Sequence, residues 1–394
     1  MKRFFRDQSG QTTIVIGLAL FSICGMAGLA ADVGTLFKTK RVLQTAADAG
    51  AIAAAAEAKY NNDNAAALAV ASLNGVTNGS NGYTVTETIT ASGYKVVASQ
   101  AAPTFFMKLF GLSTMNVSAT AVGNNGPASG CIYTLDPSGI DVGLTGTGSL
   151  TMPDCGVVID SASSNALNLS GGAVISAQSI GIVGGYNQSN NSQVNPIPVT
   201  GIAAASDPLS YITAPSFSSA SCLPDPHLTS GANTIGPSVA GGVICYNGLS
   251  ISSGGTTTMN PGVYVINGGM SMTGSGTVSG SGVTIYLAPP NGSLSLTGSG
   301  ALLLSAPTSG TYNGILFYQD KADTNSMKVA GSSGSIIQGI FYAPNAPLSL
   351  QGASGSQIYA DLVVHALSIA GNNTLKNYAQ VNTSSPLTTP RLVQ

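Results

Sequence analysis

Acidic residues are the first place to look for chemistry in this chain. Beyond residue 126 stand nine Asp, no Glu and one Arg, Arg391. Asp136, Asp141, Asp154 and Asp160 form the densest group. Clustered carboxylates can hold Ca²⁺ or share general acid–base work, and polysaccharide lyases and hydrolases add an Arg or Lys base. These four do not repeat at a spacing of two, and Pro137 and Pro153 adjoin two of them. They read as caps of turns. Asp320 and Asp323, flanking Lys321, read the same way. His227 and His365 each lack a nearby Cys or second His, so neither a metal site nor a Ser–His–Asp arrangement has support. No glycine-rich phosphate loop and no Gly-Gly-x-Gly-x-Asp calcium repeat occurs. No catalytic residue, cofactor site or metal site is assigned.

The cysteines suggest a translocated chain. Cys24 lies in an apolar stretch and reads as a small hydrophobe. Cys131, Cys155, Cys222 and Cys245 all lie in the distal part. An even number there fits two disulfides, with three possible pairings. The nearly equal separations favour Cys131–Cys155 with Cys222–Cys245; four buried free thiols are the alternative.

The elements that would carry these residues are unusual in composition. Charged residues make up 7% of 394, and Gly contributes 50, whereas soluble domains average about 25% charge. The net charge of -2 gives no general attraction to nucleic acid. Hydrophobic residues reach 43%, so the chain is not disordered by composition.

The N-terminus opens on a basic tip, Met1–Arg6, and no residue from Gln8 to Ala31 is charged. Ile14–Leu29 is mainly Ile, Val, Leu, Ala, Phe and Gly. About 20 such residues span a bilayer, so residues 13–33 read as a transmembrane helix behind a cytoplasmic tip, 1–12. Lys2, Arg3 and Arg6 before the helix nearly balance Lys38, Lys40 and Arg41 after it. The short tail and the low-charge distal part favour a cytoplasmic N-terminus. A cleavable signal, cut near Gly28 and Ala30, is the rival, but the uncharged run exceeds the ~7–15-residue core of such signals.

Helix-forming residues without Pro continue from Asp32 to Lys59, with a broad apolar stripe through Val33, Leu36, Phe37, Leu43, Ala46, Ala47, Gly50, Ala51 and Ala54. Asn61–Asn64 reads as the stop. The run Arg6-Asp-Gln-Ser-Gly-Gln11, the apolar span, Gly28-Leu-Ala-Ala-Asp-Val-Gly34 and Leu43-Gln-Thr-Ala-Ala-Asp-Ala49 together resemble the N-terminal Tad domain of TadG/TadE-like Flp-pilus assembly proteins. The motif positions are Gly10, Asp32, Gly34, Leu43, Gln44, Ala46, Ala47 and Asp48. The resemblance, over residues 3–58, implies a single-pass anchor in the bacterial inner membrane. It also implies a non-catalytic role in assembling or tethering a tight-adherence pilus, with pilus-assembly proteins or pilus subunits as partners. Pilin-like members are cut after a Gly and carry Glu five residues on. Here Val15 follows Gly10 at that distance, which favours an assembly protein over a pilin.

Residues 34–125 then read as the Tad helix and a small α+β module. A short helix is expected over Asn64–Leu73, a hairpin over Tyr83–Thr90 and Tyr94–Ser99, and a third strand over Met115–Val122. Pro103 is expected to open a helix through Phe105, Phe106, Leu109 and Phe110. Val96, Val97, Phe105, Phe106, Leu109 and Val117 are expected to form its core. Gly123–Ser129 reads as a linker.

Residues 126–394 repeat. Gly262-Val-Tyr-Val-Ile266, Gly282-Val-Thr-Ile-Tyr-Leu287, Gly314-Ile-Leu-Phe-Tyr318, Gly339-Ile-Phe-Tyr342 and Asp361-Leu-Val-Val364 recur at roughly 20–30 residues, as in a solenoid. A second series, such as Ser271-Met-Thr-Gly274 and Ser349-Leu-Gln-Gly352, interleaves with them. Asn187–Asp225, rich in Pro, Ser and Asn, reads as an excursion. The expected fold is a mainly β domain, a right-handed parallel β-helix, with a β-sandwich as the alternative. The expected function is a membrane-anchored structural factor whose β-solenoid projects into the periplasm or to the cell surface. The alternative is an anchored carbohydrate-binding adhesin or polysaccharide-active enzyme, with envelope or surface glycans as partners.

Overall fold

A computed structural model describes residues 9–127, 130–189, 191–252, 254–330, 332, 334–352, 357–382 and 385–393. The basic tip Met1–Arg6 and part of the expected linker lie outside them. The chain forms two compact units, Met1–Gly126 with Thr389–Gln394, and Pro127–Thr388.

The first unit is built on one helix, α1 (Ser9–Glu57). At 1.5 Å per residue its 49 residues run for about 70 Å. From Thr13 to Ala31 its side chains are exposed, apart from half-covered Gly25 and Gly28. This stretch contains an apolar window of mean hydropathy 2.3, none of it buried within the protein. Beyond Asp32 the helix acquires a packed face. Leu43, Ala46, Ala47, Ala51 and Ala54 are buried against Ala67 and Ala71 of α2 (Asp63–Leu73) and against a sheet carrying Val96, Ala98, Ala119 and Ala121. Alanines let backbones come close: a Cβ on Gly50 would sit 3.2 Å from the Ala67 carbonyl oxygen. The helix ends where Asn61 adopts the left-handed conformation, φ 56°.

The sheet pairs β1 (Tyr83–Thr90) with β2 (Gly93–Pro103) and β2 with β3 (Thr114–Pro127), all antiparallel. A fourth strand, Thr388–Val393, lies beside β3. Nothing in the local pattern announced it, because its partner lies more than 250 residues earlier in the chain. The helix expected from Pro103 is not there. β2 runs through Pro103, and only a 3₁₀ turn, Met107–Phe110, follows. Thr104 closes this loop by donating twice across it, its N–H to the Ser113 carbonyl and its hydroxyl to the Leu112 carbonyl. The tight neck turns the apolar side chains outward. Phe105, Leu109 and Phe110 are 72%, 81% and 71% exposed and are not core, contrary to the helical spacing.

The second unit is a parallel β-solenoid of three sheets with ten, nine and ten strands. One coil supplies a strand to each, for example Gly262–Ile266, Met270–Met272 and Thr277–Ser281. Coils stack in register, with Val263 on Thr284 and Met270 on Leu294. Strands of the second sheet alternate inward Leu or Met with outward Ser, as in Leu294–Leu296. In the first sheet both faces of Gly262–Ile266, Val283–Leu287 and Ile315–Gln319 are buried, which explains their unbroken apolar runs.

What covers the outer face is a strap, residues 201–231. The stack is not wound in sequence order. The chain enters midway at Gly130–Thr134, climbs through Gly156–Ile159 and Ile180–Ile182 to Val199–Thr200, and then crosses to the opposite end. It resumes at Val243–Tyr246 and winds back until Leu362–Val364 pairs with Gly130–Thr134. The crossing is the strap. The expected excursion therefore begins too early: Tyr186–Gln188 and Gln193–Asn195 belong to the coil. They carry no apolar alternation because they are terminal and largely exposed.

Candidate functional site

Among the described side chains, Asp32 is the first buried one met along α1. Its carboxylate accepts three backbone N–H bonds, from Phe105 at 2.8 Å, Phe106 at 2.9 Å and Met107 at 2.7 Å. A carboxylate suits the unpaired amides that open a helical turn. The Phe106 ring continues down the helix over Gly28, where a Cβ would come within 2.4 Å of its Cδ2, and reaches Gly25. Asp32 and Gly28 thus form a clasp: one holds the loop's backbone, the other leaves room for its ring.

The other motif residues serve packing. Leu43, Ala46 and Ala47 are fully buried. Gln44 Nε2 donates to Asp48 Oδ1 at 2.7 Å and toward the Thr120 carbonyl at 3.4 Å, linking the helix to β3. Gly34 has no atom within 4 Å of its would-be Cβ. Gly10 is helical. Lys40 reaches the Ser118 carbonyl, and Asn125 Nδ2 donates to Ala55 O at 2.7 Å. Sequence reasoning missed the clasp because the helical spacing of Phe105, Phe106, Leu109 and Phe110 suggested burial. The usable signal was an acid closing an uncharged apolar stretch in mid-helix, which demands a partner.

In the solenoid, Cys131 is bonded to Cys155 and Cys222 to Cys245. The second bond fixes the strap to the coil at Val243–Tyr246. Above it, Phe217 packs on Tyr286, Tyr318 Oη donates to Ile212 O at 3.4 Å, Lys321 Nζ to Ser210 O at 2.6 Å, and Tyr342 Oη to Asp207 Oδ2 at 2.7 Å. At the far end Ala205 N donates to Asp160 Oδ1 at 2.8 Å. The ladder Tyr286–Tyr318–Tyr342, with centroids 5.1 Å apart at each step, is the strap's seat.

The aspartates are dispersed along this frame. Asp136 accepts from Ser138 N, Asp320 from Ala322 N, Asp323 from Asn325 N and Asp225 from His227 N. Asp154 accepts from Gln380 Nε2. His365 Nε2 stands 3.7 Å from Asp136 Oδ2, and His227 Nδ1 3.6 Å from Asp225 Oδ2. Asp141 and Asp160 do meet, through Asp160 N donating to Asp141 Oδ2 at 3.2 Å. Burial pushes Asp141 up to about 7, against bonds from Thr134 and backbone that lower it. Burial likewise pushes Asp361 up to about 7. Among the described residues no three His, Cys, Asp or Glu side chains gather as a metal site would need. A groove of about 530 Å³ on the third sheet is lined by Thr258, Asn260, Ser279, Leu303, Ile336 and Gln338 among others, with no carboxylate or imidazole.

Among the described residues one exposed apolar helix is long enough to cross a membrane, and it leads into a packed α+β head, the build of a membrane-anchored envelope factor. The comparisons agree on which kind. Residues 10–57 match the Tad family, described as Flp pilus-assembly TadE/G-like, and residues 34–122 match Tad_C, described as Tad-like Flp pilus-assembly. The first unit therefore carries Tad-type pilus-assembly domains, and the clasp joins the two matched ranges, with Gly28 and Asp32 in the first and Phe105–Met107 in the second. No curated protein and no solved structure matches the chain.

Proposed function

We propose that this chain is a structural factor of Flp/Tad pilus assembly or envelope tethering, held in the bacterial inner membrane by one helix. Its solenoid is non-catalytic and stands on the periplasmic side or at the cell surface. The observation that carries the reading is the continuity of α1. The same helix presents an unburied apolar surface from Ile14 to Leu29 and then becomes the spine of the Tad-type head. A cleaved signal would sever that spine just before Asp32, beside the residue that clasps the loop.

Supporting the non-catalytic part, the solenoid's acids cap turns, hold the strap or meet only as the pair Asp141 and Asp160 through a backbone N–H, and its groove holds hydroxyls, amides and apolar side chains. Two disulfides and a scarcity of charge suit a translocated domain. The partners on this reading are the inner membrane and pilus-assembly proteins or pilus subunits.

Protease shaving tests it. In spheroplasts, added protease should digest residues 126–394 while fragments containing residues 13–31 stay with the membrane. A mature protein recovered without residues 1–30, free in the soluble fraction, refutes the anchor. Hydrolysis of an envelope polysaccharide by the purified chain refutes the non-catalytic solenoid.

A further inference from the structure

We propose that the loop 104–113 is a second membrane contact, dipping its exposed apolar side chains into the same leaflet that α1 leaves. The inference rests on the membrane-anchored reading above and adds to it a depth and an orientation.

Three observations converge on this loop. First, Phe105, Leu109, Phe110 and Leu112 are 72%, 81%, 71% and 54% exposed, a dense apolar group on one short turn. Second, the loop is fastened to α1 by the three amide bonds to Asp32, so its height along the helix is set. Third, Phe106 does not point toward the head. Its ring lies against Gly28 and reaches Gly25, which is about 10 Å below Asp32 at 1.5 Å per residue. The ring therefore already occupies the level of the uncharged, apolar stretch.

The lipid surface is the occupant because Phe106 of this loop lies on Gly28 and Gly25, within the exposed apolar stretch of α1 itself. Met26 and Leu29, at the same level of the helix, are 67% and 42% exposed. A membrane that solvates these reaches the loop tip as well. Lys108, at the centre of the turn, suits this position: its stem can follow the apolar side chains while its ammonium stays among headgroups. Lys38, Lys40 and Arg41 sit one to three turns beyond Asp32, on the side away from the bilayer core. Apolar tips with basic neighbours are the composition of interfacial anchors. A single helix fixes depth but leaves the head free to rotate about its axis and tilt. A loop in the interface removes part of that freedom.

The chain contains no Trp, so single tryptophans report position cleanly. The full-length protein is reconstituted in phosphatidylcholine–phosphatidylglycerol vesicles whose acyl chains are brominated near the headgroup or near the bilayer centre. Four variants are compared: Phe110→Trp, Phe105→Trp, Phe21→Trp and Leu73→Trp. Phe21 lies within the apolar span, and Leu73, 85% exposed, ends α2. Phe110→Trp and Phe105→Trp should emit to the blue and be quenched more by shallow than by deep bromines. Phe21→Trp should be quenched by deep bromines, and Leu73→Trp by neither. Water-like, unquenched emission at positions 105 and 110, with Phe21→Trp quenched, overturns the loop contact and leaves the anchor standing. Blue but unquenched emission there places the loop against protein instead, and also overturns it. An unquenched Phe21→Trp removes the anchor and the proposal together.

Discussion

Replacing Asp32 by Asn should release the 104–113 loop while leaving the rest of the head folded. The carboxylate takes one N–H on Oδ1, from Phe105, and two on Oδ2, from Phe106 and Met107. An amide of the same shape offers one oxygen. It can keep the pair from Phe106 and Met107, but its NH₂ then faces the Phe105 N–H, donor against donor. One bond is lost outright, and two change from charge-assisted to neutral. Hydrogen bonds to a charged acceptor are worth about 1.5–3 kcal/mol and neutral ones about 1 kcal/mol. At the low end of these ranges the net loss is ~3 kcal/mol, which at about 1.4 kcal/mol per factor of ten corresponds to at least about 100-fold in the loop's opening equilibrium. Hydrogen exchange by mass spectrometry on the full-length protein in detergent reads this directly. Peptides covering Thr104–Ser113 should exchange at least about 100-fold faster in Asp32→Asn, and faster still in Asp32→Ala. Peptides from the β1–β2 hairpin should not change. Protection of the loop within a few-fold of the parent chain would show that the amides do not depend on the carboxylate. Equal acceleration in the hairpin would show that Asp32 supports the whole head, not a local clasp.

The other expectations are shorter. Gly123→Ala should destabilise the head by ~3 kcal/mol, because its Cβ would lie 2.1 Å from the Ala51 carbonyl oxygen; Gly34→Ala, with nothing nearby, should be neutral or stabilise α1 by up to ~1 kcal/mol, both read by thermal unfolding. The double variant Cys222→Ser, Cys245→Ser should lower solenoid stability by ~3 kcal/mol in denaturant titration, since it frees the strap's lower end. Between the ordinary aspartate value of 3.8 and about 7, Asp141 and Asp361 hold protons in the folded coil but not in the unfolded chain. The folded state then binds more protons, so stability should fall as pH rises through that window, by at most ~4 kcal/mol per residue. Melting should be higher at pH 5 than at pH 8, and Asp361→Asn should flatten the difference; a slope of the opposite sign, or one unchanged by the variant, refutes the assignment.

Much of this was legible in the residues, and the failures have physical causes. The coils could be read because apolar runs such as Val263–Ile266 and Ile315–Tyr318 recur between glycines, and stacking in register needs that recurrence. The spine of the head could be read from Ala46, Ala47, Ala51 and Ala54 at helical spacing, all of which are buried. Phe105, Leu109 and Phe110 misled because apolar periodicity does not say whether protein or lipid does the covering. Tyr186–Asn195 misled because terminal strands have no outer neighbour to bury against. The winding order was invisible, since nothing local distinguishes a coil that stacks on its sequence neighbour from one that stacks on a strand more than two hundred residues away.

That winding order has a consequence for folding. The contacts joining the two half-stacks pair Leu362 with Ile132, Leu367 with Val142 and Asn372 with Ser149. Among the described residues, the strand pairs within each half-stack join successive coils of the chain. Long-range pairs incur loop-closure entropy before they return any stabilisation, so each half-stack should form first and this seam last. Two acids that burial pushes up to about 7 also lie at the seam: Asp361 immediately precedes Leu362, and Asp141 immediately precedes Val142. Asp141 Oδ1 has no hydrogen-bond partner among the described residues, so an ionised Asp141 would leave charge uncompensated at the last interface to close. The Cys131–Cys155 bond ties the entering strand to the coil next above it, on one side of the seam only. The junction itself depends on strand pairing and on neutral acids. Raising the pH therefore loads the contact that closes last, and opening at alkaline pH should begin between Leu362–Val364 and Gly130–Thr134 before either half-stack loosens.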